Sequence, residues 1–166
     1  MEPKTVRRVS GGTAPLRHDS IHDMTNAVAA GTSVLTLDGA LPAEFLSPGD
    51  RVITRDAGMA VLREVVIRTG PVDAVAIRAG TLGHTRPDQD ALLPASQEVL
   101  IRDWRAQAIF GRARALVPAA RLVDGEFIRT LGPVEMTLVA LVFDAPHIIY
   151  ADGLELAAAL PVTEPA

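Results

Sequence analysis

The sequence predicts an all-β domain of curved strands with only one or two short helical turns. Three observations carry this. Turn signals built from Gly, Pro, Asp and Ser punctuate the chain roughly every 8 to 12 residues. The runs between them are short and rich in Val, Ile, Leu and Thr. Only two stretches show helical character.

Residues 1–26 read as a flexible leader. They hold Ser10, Gly11, Gly12 and Pro15 among charged residues such as Arg17, Asp19 and Asp23, and they alternate no apolar face. Order is expected near Gly31. The first strand is expected at Ser33 to Leu37, closed by Asp38-Gly39, where glycine accepts the positive φ of a tight hairpin. A second strand, Asp50 to Arg55, enters through Ser47-Pro48-Gly49 and leaves through Asp56-Ala57-Gly58. Pro48 fixes φ, Gly49 frees it, and Asp50 can hydrogen-bond its own turn. That turn sets a register with Val52 inward and Arg51 and Thr54 outward.

Ala60 to Arg68 and Val72 to Arg78 are expected as separate strands, parted at Thr69-Gly70-Pro71. Gly83 to Asp90 is a polar loop, and Glu98 to Arg102 a short strand. Trp104 to Phe110 and Pro118 to Val123 are the two helical candidates, with proline acceptable at a first helical position. Met136 to Phe143 is apolar on both faces apart from Thr137 and suits a strand buried on both sides; His147 to Ala151 pairs with it across Asp144-Ala145-Pro146. Residues 161–166 form a C-terminal tail.

Composition bounds the function. At 166 residues, 48% hydrophobic and 22% charged, the chain suits one globular domain. A net charge of -4, with arginines scattered at Arg102, Arg105, Arg112 and Arg114 beyond Arg7-Arg8, argues against nucleic acid or anionic lipid and for a solvated face. With no cysteine, disulfides and thiolate chemistry are excluded. No apolar run reaches the roughly 20 residues that span a bilayer, and Met1 to Asn26 lacks the apolar stretch of a signal peptide, so a cytoplasmic location is the default expectation, non-classical export aside.

One pattern is more specific. Gly31-Thr32-Ser33-Val34-Leu35-Thr36, then Gly39, Pro42, Glu44 and Leu46, then Ser47-Pro48-Gly49-Asp50-Arg51-Val52 and Thr54-Arg55-Asp56-Ala57-Gly58, resembles the opening of a bacterial Hint domain of the hedgehog/intein class. Val75, Ile77, Ala79-Gly80 and Leu82-Gly83 resemble its middle strand. Ala115-Leu116-Val117-Pro118-Ala119 resembles the segment before its late strands, and Leu141-Val142-Phe143-Asp144 with Ile148 to Gly153 its last strand pair. The resemblance covers about residues 27 to 155 of a Hint-like domain placed at 27–160. It implies a pseudo-two-fold fold with its ends close together.

It also implies self-processing chemistry. In active members a cysteine or serine attacks its own preceding carbonyl, which requires a proton donor for the leaving nitrogen and donors for the oxyanion. The family's spacing puts that nucleophile at Ala27, the hydroxyl of its central motif at Pro94 and the histidine of that motif at Gln97. The late histidine falls at Pro146, or, one residue displaced, at His147. The chain ends Thr163-Glu164-Pro165-Ala166, without the asparagine that splicing needs. Loss of self-processing is the expectation.

Other candidates are weaker. Ser20 lies between His18 and His22, with Asp19 and Asp23 beside it, a spacing that sketches a nucleophile and base or a metal pair without a scaffold. Thr32 and Ser33 belong to the first strand. His84 reads as a solvated loop residue, His147 as a turn-edge residue bonded to backbone, and Trp104 as a partly buried anchor. Asp88 and Asp90 lack the rest of a calcium loop. No metal and no cofactor is expected. The residues leave two functions open: an inactive structural or protein-interaction module binding a partner chain, or a self-cleaving domain with a non-standard nucleophile.

Overall fold

A computed structural model describes residues 21–161, of which the first element is a 3-10 turn at Ile21–Asp23. Order therefore begins ahead of Gly31: Ile21 and Met24 are buried, and Val28–Ala29 is already a strand, β1. Residues 1–20, with Ser20, His18 and Asp19, and residues 162–166 lie outside the described residues.

The opening hairpin follows the turn chemistry closely. Ser33–Thr36 (β2) pairs with Gly39–Pro42 (β3), Thr36 opposite Gly39. The two loop residues are thus Leu37 and Asp38, and Gly39, at φ 102°, begins the return strand. After a 3-10 turn at Ala43–Phe45 comes the Pro48-Gly49 turn. Gly49 has φ 97°, the Asp50 N–H donates to Ser47 O at 3.0 Å, and the Asp50 carboxylate accepts from the Ser47 N–H at 2.8 Å. Arg51–Thr54 (β4) and Gly58–Val61 (β5) form the next hairpin. Val52 is fully buried as expected, but Thr54 is buried too, because residues two apart on a strand share a face.

Glu64–Ile77 is one strand of 14 residues, β6, and Thr69-Gly70-Pro71 does not break it. The long partner strand Ile128–Val142, taken up below, explains why. The Ala30 N–H donates to Thr137 O, which turns the peptide groups of Thr137 and of Glu135, two residues away, toward β1. Pro71 faces Glu135 and so occupies a non-hydrogen-bonded position, where its missing N–H deprives the ladder of nothing. Gly70 keeps an ordinary φ and leaves room for Ile21, whose Cγ2 would lie 3.1 Å from an added Cβ.

Ala91–Pro94 (β7), Glu98–Ile101 (β8) and Ala115–Pro118 (β9) follow, with a helix, α1, at Trp104–Phe110. Asp103 caps that helix by accepting from the Arg105 N–H at 3.1 Å, and Gly111 closes it at φ 69°. Trp104 is no anchor: it is 66% exposed, with the Arg105 guanidinium 4.7 Å above its ring. The helix turns Ala106 to the core and leaves its first residue in solvent. The second helical candidate is a 3-10 turn at Ala119–Leu122. The long strand Ile128–Val142 (β10), Ile148–Ala151 (β11) and Leu154–Ala157 (β12) complete the chain.

Two antiparallel sheets result. One is ordered β1-β10-β6-β7, and the larger is β3-β2-β4-β11-β12-β8-β9 with β5 on β4. β10 separates two apolar clusters: Val139, Leu141 and Phe143 enter the main core, while Met136, Leu138, Ala140 and Val142 pack with Ile21, Met24 and Ala27. The expectation of a strand buried on both sides holds, but Ile148–Ala151 does not pair with it: it pairs with β12, β2 and β4, in the other sheet. Leu154 and Leu156 of β12, Ile149 of β11 and Val99 of β8 line the main core, so Glu155, Tyr150, Ile148, Glu98 and Leu100 occupy the outer face of the larger sheet.

Candidate functional site

Ala27 stands one residue before β1 and is buried at 2% exposure among the apolar side chains of the smaller cluster. Its neighbour Asn26 turns instead toward β8. The Asn26 carboxamide oxygen accepts from the Glu98 N–H at 2.9 Å, and its Nδ2 donates to the Glu98 carboxylate at 3.1 Å. Ser96 Oγ donates to Thr25 O at 3.0 Å, so residues 25 and 26 are clamped to the start of β8.

Gln97, at the position where the family resemblance places a histidine, is fully buried. Its Nε2 donates to Glu98 O and to Ala157 O, both at 2.9 Å, while its Oε1 has no partner. Two carbonyls thus hold both N–H groups of an amide that carries no titratable proton. Pro94 ends β7, buried and without a hydroxyl.

Pro146 is exposed, and His147 is the residue of that pair that turns inward. His147 Nδ1 lies 2.7 Å from Asp56 Oδ2, and its side chain is 15% exposed; the expectation of a backbone-bonded turn histidine is corrected. The second Asp56 oxygen accepts from the Ile148 N–H at 2.9 Å. Partial desolvation opposes the Asp56 charge, but the Ile148 N–H and the His147 ring outweigh it and hold the carboxyl below the usual range. The Phe143 ring meets the imidazole edge-on at 5.5 Å.

Asn26, Glu98, His147, Asp56 and Leu116 share the wall of one cavity of about 240 Å³ on the outer face of the larger sheet, floored by Ile148 and Ala157. The structure thus gathers His147 and the residue before Ala27 around one space. Ala27 points into the smaller core, and Gln97 is fastened beneath by Ala157.

The remaining candidates are dispersed. Thr32 is buried, and the Ser33 N–H donates to Asp152 Oδ1 at 3.0 Å. His22 and His84 are exposed, and Asp90 accepts from the Ala79 N–H at 2.9 Å. Among the described residues no group of three or more His, Asp or Glu is placed to hold a metal ion, and no helix is long and apolar enough to cross a membrane.

Arg102, Arg112 and Arg114 are exposed, as expected of a solvated face, but Arg105 departs from it and Arg102 is paired. Arg105 is buried and paired with Asp103. Arg102 binds Glu155 through two nitrogens, at 3.1 and 3.0 Å, and Arg55 and Arg86 each reach the same carboxylate at 3.1 Å. Burial pushes against the Glu155 charge, but Arg102 and Arg86 prevail and lower its pKa. Asn26, Asp56 and Glu155 were not legible as site residues. The one available signal was Glu155 itself, a carboxylate inside the apolar run Leu154 to Leu160, which needs partners if buried.

A bacterial intein-like domain from Clostridium thermocellum superposes with a TM-score of 0.55 at 15% identity, over 82% of this chain and 99% of that one. The MchDnaB-1 intein (N145AA) gives 0.55 at 14%, over 80% and 100%. A DnaB intein from Synechocystis sp. PCC 6803 gives 0.53 at 13%, over 80% and 98%. At such identities these likenesses speak for the fold alone. A comparison with the curated proteins finds no match. The family model of the Hint domain matches residues 27–162, and the chain belongs to the Hint domain family.

Proposed function

We propose that this Hint domain does not cut itself by the family's acyl-shift route and serves as a protein-interaction module. One observation carries the reading: the nucleophile position is a buried alanine methyl, with no lone pair to attack the Asn26 carbonyl. Gln97 strengthens it. Both of its amide N–H groups are spent on backbone carbonyls, and an amide cannot relay a proton to a leaving nitrogen near neutral pH. The fold is retained while both groups that act on the scissile bond are replaced.

A second reading, self-cleavage through a non-standard nucleophile, is favoured by the cavity. His147, oriented by Asp56, shares it with Asn26. Attack of Asn26 Nδ2 on its own carbonyl carbon would form a succinimide and break the bond to Ala27, whose nitrogen takes up the proton. Against it, both ends of the Asn26 carboxamide are tied to Glu98, which holds Nδ2 away from that carbonyl.

The test is intact mass after prolonged incubation of the purified chain, joined to the double variant Ala27→Cys, Gln97→His. The parent is expected to keep its mass. The double variant is expected to gain a break between residues 26 and 27 that hydroxylamine accelerates. A parent that breaks at Asn26-Ala27 overturns the proposal.

A further inference from the structure

The outer face of the larger sheet carries more than the cavity beside Asn26 and His147. Along β12, Ala157 floors the cavity and Glu155, two residues earlier, sits under three guanidinium groups. The paired strand repeats this offset, Ile148 opposite Ala157 and Tyr150 opposite Glu155. The cavity and the arginine cluster are therefore neighbours on one face, about 7 Å apart along the strands.

The cluster is overcharged. Among the described residues Glu155, 7% exposed in its side chain, is the one carboxylate paired with Arg55, Arg86 and Arg102. Among the described residues the ion-paired cluster thus holds two more positive charges than negative, in a chain whose net charge is -4. Arg86 Nη2 is buried without a hydrogen-bond partner. Arg55 and Arg102 keep nitrogens beyond those spent on Glu155, and their side chains are 27% and 41% exposed. The arrangement is also fixed. The loop bearing Arg86 is fastened by the Asp88 N–H donating to Asp152 O at 3.1 Å, and it packs so tightly on Gly153 that an added Cβ would lie 2.5 Å from Thr85 O. A cluster built around a central carboxylate, with outward donors in excess, is preorganised to accept one more carboxylate.

We propose that this face docks an extended acidic segment of a partner protein, an apolar side chain entering the cavity between Leu116 and Leu160 and an Asp or Glu two residues away meeting Arg55 and Arg102. An extended chain points residues i and i+2 the same way with the spacing that separates cavity from cluster. Leu116 and Leu160 are 40% and 46% exposed and offer the apolar walls. The inference rests on the interaction-module reading and names its partner's chemistry. The two fail separately, since self-cleavage is read from mass and docking from binding.

The full chain, isotope-labelled, is titrated with the blocked peptide acetyl-Thr-Leu-Thr-Glu-Thr-amide while the arginine Nε–Hε and backbone signals are followed by NMR. Saturable shifts are expected at Arg55 and Arg102 and around the cavity. Replacing the peptide's Glu by Gln is expected to weaken binding on the order of tenfold, as is Arg102→Gln in the protein, checked for folding by its spectrum. Leu160→Ser, which leaves the arginines untouched, is expected to weaken the peptide but not its effect at Arg55. Equal binding of the Gln peptide, or no shift at millimolar peptide, overturns the proposal. So does inorganic phosphate reproducing the shifts while the peptide leaves the cavity unmoved, since that marks a free-anion site.

Discussion

Gln97 Nε2 donates to the carbonyl oxygen of Ala157 at 2.9 Å, joining the start of β8 to the end of β12 beneath the cavity. The same nitrogen donates to Glu98 O, so one buried amide satisfies two backbone acceptors where the strands part. Gln97, where the family resemblance places a histidine, acts as a structural rivet between the two strands.

Gln97→Leu keeps the volume and removes both donors. It is expected to lower stability by about 1–3 kcal/mol, the cost of stranding buried acceptors, read as a denaturant midpoint shift at unchanged slope. A Leu variant as stable as the parent would show that the amide holds nothing.

Glu155 has a folded-state pKa below its ordinary value of 4.5. The sign follows from linkage: the carboxylate's stabilisation is fully present above the unfolded pKa and is lost as pH falls through the folded one. Thermal scans across acid pH should show the parent losing stability below about 4.5, and Glu155→Gln losing less over that window. At neutral pH the variant is expected to be weaker by about 3 kcal/mol, because three arginines lose their buried partner. Parallel acid profiles for the two proteins would remove Glu155 from this role.

Gly153 adopts φ +80° and abuts the loop backbone, an added Cβ meeting Thr85 O at 2.5 Å and Asp88 N at 2.8 Å. Gly153→Ala therefore has to push the loop off the sheet. Its expected effect is a loss of about 1–3 kcal/mol, with faster amide exchange confined first to residues 80–88. Uniform loss of protection along the chain would contradict a local cause.

Phe143 is fully buried where the main core meets the His147 ring. Phe143→Ala is expected to cost about 3–5 kcal/mol. A Leu replacement should recover more than half of that, measured by the same denaturation.

Much of this fold could be read from local chemistry. The Ser47 to Asp50 turn is legible because Pro, Gly and Asp each have one reason to stand where they do, and α1 because Asp103 and Gly111 bracket it. Short strands such as β7, β9 and β12 were not, since Ala, Pro and Glu carry little β propensity and their pairing is set by distant neighbours. Gly70-Pro71 reads as a break and is none, because the orientation of a peptide group depends on β10. The site divides the same way. Ala27 and Gln97 are singled out by spacing within the family resemblance, and the roles given to them there remain proposals. Asn26 and Asp56 acquire meaning from partners 72 and 91 residues away, and Glu155 from arginines 53, 69 and 100 residues away. Trp104 shows the opposite error, a large apolar side chain whose helix position leaves it in water.

The Hint fold of this chain is proposed to persist without cleavage between Asn26 and Ala27. The most direct measurement is the intact mass of the full chain, incubated for days at neutral pH with and without hydroxylamine. A single unchanged mass under both conditions is the expected result. A pair of fragments divided between Asn26 and Ala27 would contradict it.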